Sequence, residues 1–393
     1  MHRVRNKWMD RGTNTINRAR VLRAIGLNRG ISRVDVATRL GLDKSTVTLI
    51  VNQLMHLGIL IEIDDGKTML RRGRRPVSLA INKEYGAVLG LELQARAYRA
   101  VALNLAGQVI HSEQGAMDLT DGQLVEGFCD ITTGLLETLK GMGIPVLGVG
   151  VGISGVVNFH EGVVYHSIPL NIHEPLAFTE QVGWDLDVPV FIENDANCIA
   201  WGELAFHKPL LLNDIMCVLL QQWNRDQTPD YSGGLGVGFG VVIGGKVFHG
   251  RQYSVGEFRS LNWQEANKGQ FSLSDEDLAR IGLDDRVFER FARELASHVA
   301  LFVNMLNLSH VVITGALEGD HGQLITIIQE EIQGNWPYPE PVDCEVLTSA
   351  LGDDAVAYGA AGMFLERIFE HPEVPLEVEQ AKGLNGIDIL MQR

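Results

Sequence analysis

Five polar side chains, Lys44, Ser45, Thr46, Thr48 and Asn52, share one face of the segment running from Lys44 to His56. Val47, Ile50, Val51, Leu54 and Met55 occupy the opposite face at helical spacing. Small hydroxyl groups let a helix approach base edges closely while still donating or accepting hydrogen bonds, so this face predicts a contact with duplex DNA. A second cluster, Arg71, Arg72, Arg74 and Arg75 around Gly73 and before Pro76, puts four guanidinium groups on an extended stretch. Such a stretch suits phosphates or a narrow minor groove.

These side chains need a scaffold, and the flanking sequence supplies one. From Thr15, the residues Ile16, Val21, Leu22, Ile25 and Leu27 predict a first helix that stops at Asn28-Arg29-Gly30. Ser32 is placed to N-cap a second helix carrying Arg33 and closed by Gly41, with Leu42 and Asp43 as the turn into the third. Gly58 ends that third helix. Ile59–Ile63, the turn at Asp64-Asp65-Gly66-Lys67 and Val77–Ile81 then predict a β-hairpin. The whole reads as a winged helix-turn-helix over residues 1–82. Its DNA-binding residues are expected to be Arg33, Lys44, Ser45, Thr46, Thr48, Asn52, Arg74 and Arg75, and its partner double-stranded operator DNA. Paired half-sites imply a homodimer or a dimer of dimers.

Charge separates this module from the rest. Residues 1–82 hold 16 Lys/Arg against 6 Asp/Glu, and the remainder 17 against 43, so the net −16 of the chain conceals a basic head on an acidic body. Phosphate attraction is long-ranged and unselective, and this distribution confines it to one small face. No run of about 18 apolar residues appears, and the N-terminus lacks the apolar core of a signal peptide, which predicts a cytoplasmic protein. Cys129, Cys198, Cys217 and Cys344 are scattered without metal-ligand spacing and are expected to be buried thiols.

Beyond Tyr85 the pattern is α/β. Strand-like runs at Ala87–Leu93, Tyr98–Asn104 and Val109–His111 precede a helical segment at 122–141 and a strand at Val146–Gly152. A similar succession starts at Ile215–Leu220, with Val237–Ile243 and Lys246–His249 turning at Gly244-Gly245, a helix at 285–307 and a strand at Val311–Ile313. The repeat suggests an internal duplication and a cleft between two lobes, expected over 83–198 and 199–393. The stretch Gln221–Gln227, with Trp223, reads as an insertion and a candidate partner surface.

The body resembles the ROK family of bacterial sugar kinases and sugar-responsive repressors. The resemblance rests on Glu193-Asn194-Asp195-Ala196-Asn197, on Gly234-Leu235-Gly236-Val237-Gly238-Phe239-Gly240 and on Leu351-Gly352-Asp353-Asp354-Ala355, in that order. Gly12-Thr13-Asn14 and Gly73-Arg74-Arg75-Pro76 are similar to its repressor branch. It implies an actin-like ATPase (ribonuclease H-like) fold. It also implies a carbohydrate effector held by Ser154, Gly155, Asn171, Asn194, Asp195 and Glu257, with Asp195 at the position of the kinases' general base. A carboxylate flanked by amides holds vicinal hydroxyls well, because it accepts two hydrogen bonds. Asn194 or Asp195 can equally N-cap the helix that follows.

The family's phosphate and metal chemistry is eroded. Glu92 keeps the acid of the first hairpin, but Gln94 replaces a glycine, Arg96 a threonine and Leu235 a hydroxyl residue, which predicts poor ATP binding. Gly256-Glu257-Phe258-Arg259-Ser260 ends in serine where the zinc-binding histidine of the family stands, and no cysteine lies between Cys217 and Cys344. Neither zinc nor another cofactor is expected. These features predict a repressor controlled by a sugar or sugar derivative, without enzymatic activity. The alternatives are a sugar kinase, or a DNA-binding regulator that senses a non-sugar ligand or a protein partner.

Overall fold

The computed structural model describes residues 16–26, 28–64, 77–206, 212–222, 234–316, 321–369 and 386–391. The N-terminal module opens with α1 (16–26), β1 (Ile31–Ser32), α2 (Arg33–Leu40) and α3 (Lys44–His56). Asp35 N–H donates to Ser32 Oγ at 3.2 Å, so Ser32 caps α2 as expected, and Gly41 ends it in the left-handed region at φ 63°. Asp43, by contrast, makes no side-chain cap on α3. β2 (Leu60–Ile63) and β3 (Ser78–Ile81) pair antiparallel, and β1 joins β3 on its other side. Val21, Leu22, Ile25, Val36, Val47, Ile50, Val51, Leu54, Ile59 and Leu79 form the module's buried core. Leu27 and the arginines of 71–75 lie outside the described residues.

The first lobe contains β4 (Ala87–Leu93), β5 (Ala97–Asn104), β6 (Val109–Ala116), α4 (Leu124–Gly141), β7 (Val146–Ile153), the ribbon β8 (Val156–Asn158) and β9 (Val163–His166), α5 (Phe178–Val182) and β10 (Val190–Asn194). α6 (Asp195–Phe206) leads into the second lobe. There follow β11 (Ile215–Gln222), β12 (Leu235–Ile243), β13 (Lys246–Val247), α7 (Asp275–Leu278), α8 (Asp285–Leu306), β14 (His310–Ala316), α9 (His321–Gly334) and β15 (Glu345–Thr348). Helices α10 (Ala355–Phe369) and α11 (Gly386–Met391) complete the described chain.

The two central sheets share one topology. β10-β7-β4-β5-β6 and β15-β14-β11-β12-β13 are related strand by strand, with β4 and β11 each flanked by one antiparallel and one parallel neighbour. The duplication expected from the sequence is therefore present. Alternation along β11 shows why the runs are apolar throughout. Met216, Val218 and Leu220 face the layer of α8 and α9, while Ile215, Cys217 and Leu219 face α6 and α10.

Some boundaries differ from expectation. β6 runs to Ala116 rather than His111, because its second half is an exposed edge of polar residues with no apolar alternation to announce it. Gln221 and Gln222 continue β11 instead of opening an insertion, and Trp223 lies outside the described residues. A division at 198/199 would cut α6, and α10 does not stay with the second lobe. Ala357, Ala361, Phe364 and Leu365 pack on Val88, Val101 and Leu147 of the first lobe. The same cluster continues into the N-terminal core and takes in Ile389 and Leu390 of α11. Tyr85 Oη donates to Leu390 O at 2.6 Å. α10 crosses α6 so closely that a Cβ on Gly359 would sit 1.7 Å from Cys198 O, which is why glycine stands there.

Candidate functional site

A cavity of about 250 Å³ opens between the lobes. Its wall at the junction of β10 and α6 is made by Asn194 and Asp195. Asn194 Oδ1 accepts from Asn197 N–H at 3.1 Å, capping α6, while its Nδ2 donates to Gly155 O at 3.0 Å and to Asp195 Oδ1 at 3.0 Å. The capping and cavity-lining roles therefore coexist in one residue. Asp195, 6% exposed, also accepts from Ala196 N–H at 2.8 Å. Burial pushes its carboxyl up to about 6, against the opposing effect of hydrogen bonds from Ala196, Asn194 and Gln221.

Glu257, at the exposed rim of the cavity on the second lobe's side, has its carboxyl raised by partial desolvation and by the charge of Asp195. Gly155 also lines the space. Ser154 does not; its hydroxyl lies 3.4 Å from that of Ser167. Nor does Asn171, which is exposed, adopts φ 55°, donates to Asp121 and lies 2.7 Å from His173 Nε2. Four of the six expected effector residues thus converge.

Sequence reasoning missed Gln221, Lys268, Gly269 and Gln270, all on the cavity wall. Gln221 lies one residue before the end of β11, just past its apolar run, and the other three lie in an aperiodic loop, so no pattern marked them. Behind Asp195 lies Glu92, 4% exposed, which receives Gln94 Nε2 at 2.7 Å and Gln221 Nε2 at 3.4 Å. Burial pushes Glu92 up to about 7; the Gln94 hydrogen bond and Arg99 oppose this, and Asp195 and Asp354 add to it.

On the N-terminal module, Lys44, Ser45, Thr48 and Asn52 are exposed on α3 and Thr46 is half-buried. Leu49, 58% exposed, shares their face and went unremarked because an apolar residue there reads as core. Arg33 is engaged elsewhere: one of its terminal guanidinium nitrogens lies 3.1 Å from Glu62 Oε1 on β2. Arg74 and Arg75 lie outside the described residues.

Two lobes of matching topology around a cleft define an actin-like ATPase fold, here joined to a winged helix-turn-helix. Residues 88–259 match the ROK family, and the chain carries a ROK family domain. The chain is 23% identical over 391 residues to the xylose repressor of Bacillus spizizenii, spanning 90% of this chain and 96% of that protein. A solved ROK family transcriptional regulator, a homologue of the E. coli MLC protein, matches with a TM-score of 0.73 at 18% identity, over 97% of this chain and 100% of the other. A ROK family glucokinase from Streptomyces griseus, solved with glucose and AMPPNP, matches with a TM-score of 0.54 at 21% identity, over 71% and 99%. At these identities the structural likeness shows the fold.

The groups that the family implies do not fit this chain. Ser260 is buried, its N–H donating to Gln270 O and its Oγ accepting from Asn262 N–H. Among the described residues no group of three or more His, Cys, Asp and Glu could hold a metal ion. Leu235 is fully buried, and Gln94 fills the first hairpin with a side chain bound to Glu92. Gly240 of the glycine-rich strand is explained by packing, since a Cβ there would meet Ala196 O at 2.2 Å. No helix among the described residues is long and apolar enough to cross a membrane.

Proposed function

We propose that this protein is a DNA-binding transcriptional repressor controlled by a sugar or sugar derivative held between the lobes, and that it does not transfer phosphate. One observation carries the reading: a single apolar cluster runs from the core of the helix-turn-helix through α10 to the sheet of the first lobe, while α6, capped by Asn194, packs against α10. A ligand that closes the cavity acts on the end of α6, and a shift of α6 against α10 reaches the DNA-binding module through packed side chains. This is a two-state coupling, in which the effector favours the body conformation with altered spacing of two modules in a dimer. The exposed α3 face of Lys44, Ser45, Thr48 and Asn52, with Thr46 beside it, supports operator recognition, and the arginine-rich sequence at 71–75 supports phosphate contacts. The xylose repressor among the relatives supports sugar-responsive repression.

The test uses DNA selected from a random pool by the full-length protein. Fluorescence anisotropy should give a specific complex that D-xylose or another monosaccharide weakens or strengthens. Substitution of Asp195 should abolish that response and leave specific binding in place. If the selection enriches no sequence, the reading fails.

A further inference from the structure

The stretch from Gly256 to Asp275, which replaces the zinc-binding segment of the family, is braced by side chains instead. Gln270 Oε1 accepts from Val237 N–H at 2.7 Å, and its Nε2 donates to Val237 O and Phe258 O, both at 2.8 Å. Trp263 Nε1 donates to Asn267 O and Gly269 O, and Asn267 Nδ2 to the carbonyls of Phe271, Ser272 and Leu273. Phe271 and Leu273 are anchored in the core under the second sheet, and Ser272 is tied to the buried Glu294 through its N–H at 2.8 Å and its hydroxyl at 2.6 Å. These hydrogen bonds hold the loop, and two of its cations, Arg259 and Lys268, line the cavity at its solvent-exposed side. The guanidinium of Arg259 is stacked 4.2 Å over the Trp263 ring, which orders it before any ligand arrives.

The charges in this cavity are not paired with one another. Asp195 and Glu257 form no salt bridge with Arg259 or Lys268, and the influences on Glu257 are burial and the like charge of Asp195, with no cation offsetting them. No acid of the cavity is therefore neutralised in advance by Arg259 or Lys268. A neutral sugar satisfies the acids through its hydroxyls and brings no anion for the two cations that line the same cavity.

We propose that the effector is an anionic monosaccharide, its hydroxyls held by Asn194, Asp195 and Glu257 and its carboxylate or phosphate received by Lys268 and Arg259. This deepens the reading of the cleft given above and rests on it. An ionised acceptor makes stronger hydrogen bonds with ammonium and guanidinium donors than a neutral hydroxyl does, and the planar guanidinium of Arg259 suits either anion.

Isothermal titration calorimetry on the full-length protein at low salt tests this, with D-glucuronate, D-galacturonate and D-glucose 6-phosphate set against D-xylose and D-glucose. At least one acidic probe should bind about tenfold more tightly than the neutral sugars. The margin should vanish in the double variant Lys268→Gln, Arg259→Gln and persist in Lys268→Arg, which keeps the charge. Carboxylate and phosphate probes distinguish the two sources of the anion. Binding of neutral sugars at least as tightly as every acidic probe, or a margin that survives the double variant, overturns the inference and spares the sugar cleft. Failure of every sugar to bind overturns both.

Discussion

His249 Nε2 lies 2.7 Å from Glu193 Oε2, a contact between the second lobe and the last strand of the first. Glu193 is fully buried and also receives Asn194 N–H, Asn197 Nδ2 and Trp201 Nε1, so the carboxylate ties the edge of the cavity to both lobes. The His249 ring is stacked on Phe159 at 4.2 Å, which fixes its orientation. Replacing His249 by alanine should cost about 2–4 kcal/mol, because it leaves a buried acceptor short of a donor. Urea unfolding measures this, and in a Glu193→Gln background the cost should shrink. An equal cost in both backgrounds would refute the pairing.

Effector binding should depend on pH through Asp195. Sugar hydroxyls donate to its carboxylate, and the group titrates at about 6, so affinity falls as the pH drops through that value. Titration calorimetry at pH 5 should give a dissociation constant about tenfold weaker than at pH 7, and Asp195→Asn should lose measurable effector binding at both.

Glu92 predicts the pH dependence of stability. Its carboxyl is raised from 4.5 to about 7 by burial, so between these values the folded chain binds more protons than the unfolded one. Stability contributed here rises as the pH falls from 7 towards 4.5, the opposite of a salt-bridged acid. Glu92→Gln removes the penalty of the buried charge and should raise Tm by a few degrees at pH 8 while changing it little at pH 5. Calorimetric scans that show the larger gain at pH 5 would contradict the assignment.

Two glycine-to-alanine substitutions should move stability in opposite directions. At Gly359 the new Cβ meets the Cys198 carbonyl, and separating α10 from α6 should cost about 3 kcal/mol or more. Gly134, exposed in the middle of α4 with nothing within 4 Å of its Cβ, should gain about 0.5–1 kcal/mol. Chemical denaturation of both variants checks the pair.

On the recognition face, Thr48→Ala should weaken specific DNA binding by roughly 1–3 kcal/mol if its hydroxyl reads a base, and Leu49→Glu should abolish it by bringing a carboxylate to the phosphates. Anisotropy titrations against the selected DNA measure both. Unchanged affinity in Leu49→Glu would remove α3 from the interface.

Much of this was legible in the sequence because it is local or repetitive. Ser32 and Gly41 announce the ends of α2, Val47, Ile50, Val51 and Leu54 mark the buried side of α3, and the two strand-rich halves betray a duplication. Asn194 and Asp195 were found through the resemblance of Glu193-Asn194-Asp195-Ala196-Asn197 to the ROK family, not through any periodic pattern. What escaped depends on long-range contact. Gln221 reaches Glu92 across the lobes, Gln270 bridges Val237 and Phe258, and Arg33 turns to Glu62, and none of these pairings leaves a periodic trace. The return of α10 and α11 to the front of the molecule is of the same kind.

That return has a consequence for how the protein comes into being. Leu22 and Ile25 belong to the same apolar cluster as Ile389 and Leu390, and the hydroxyl of Tyr85 is bound to a carbonyl 305 positions later. On a translating ribosome the N-terminal module emerges before α11, so this part of its packing becomes available only once α11 has been made. A product cut short before α11 therefore lacks the contacts with Ile389 and Leu390 that complete the apolar cluster of its N-terminal module.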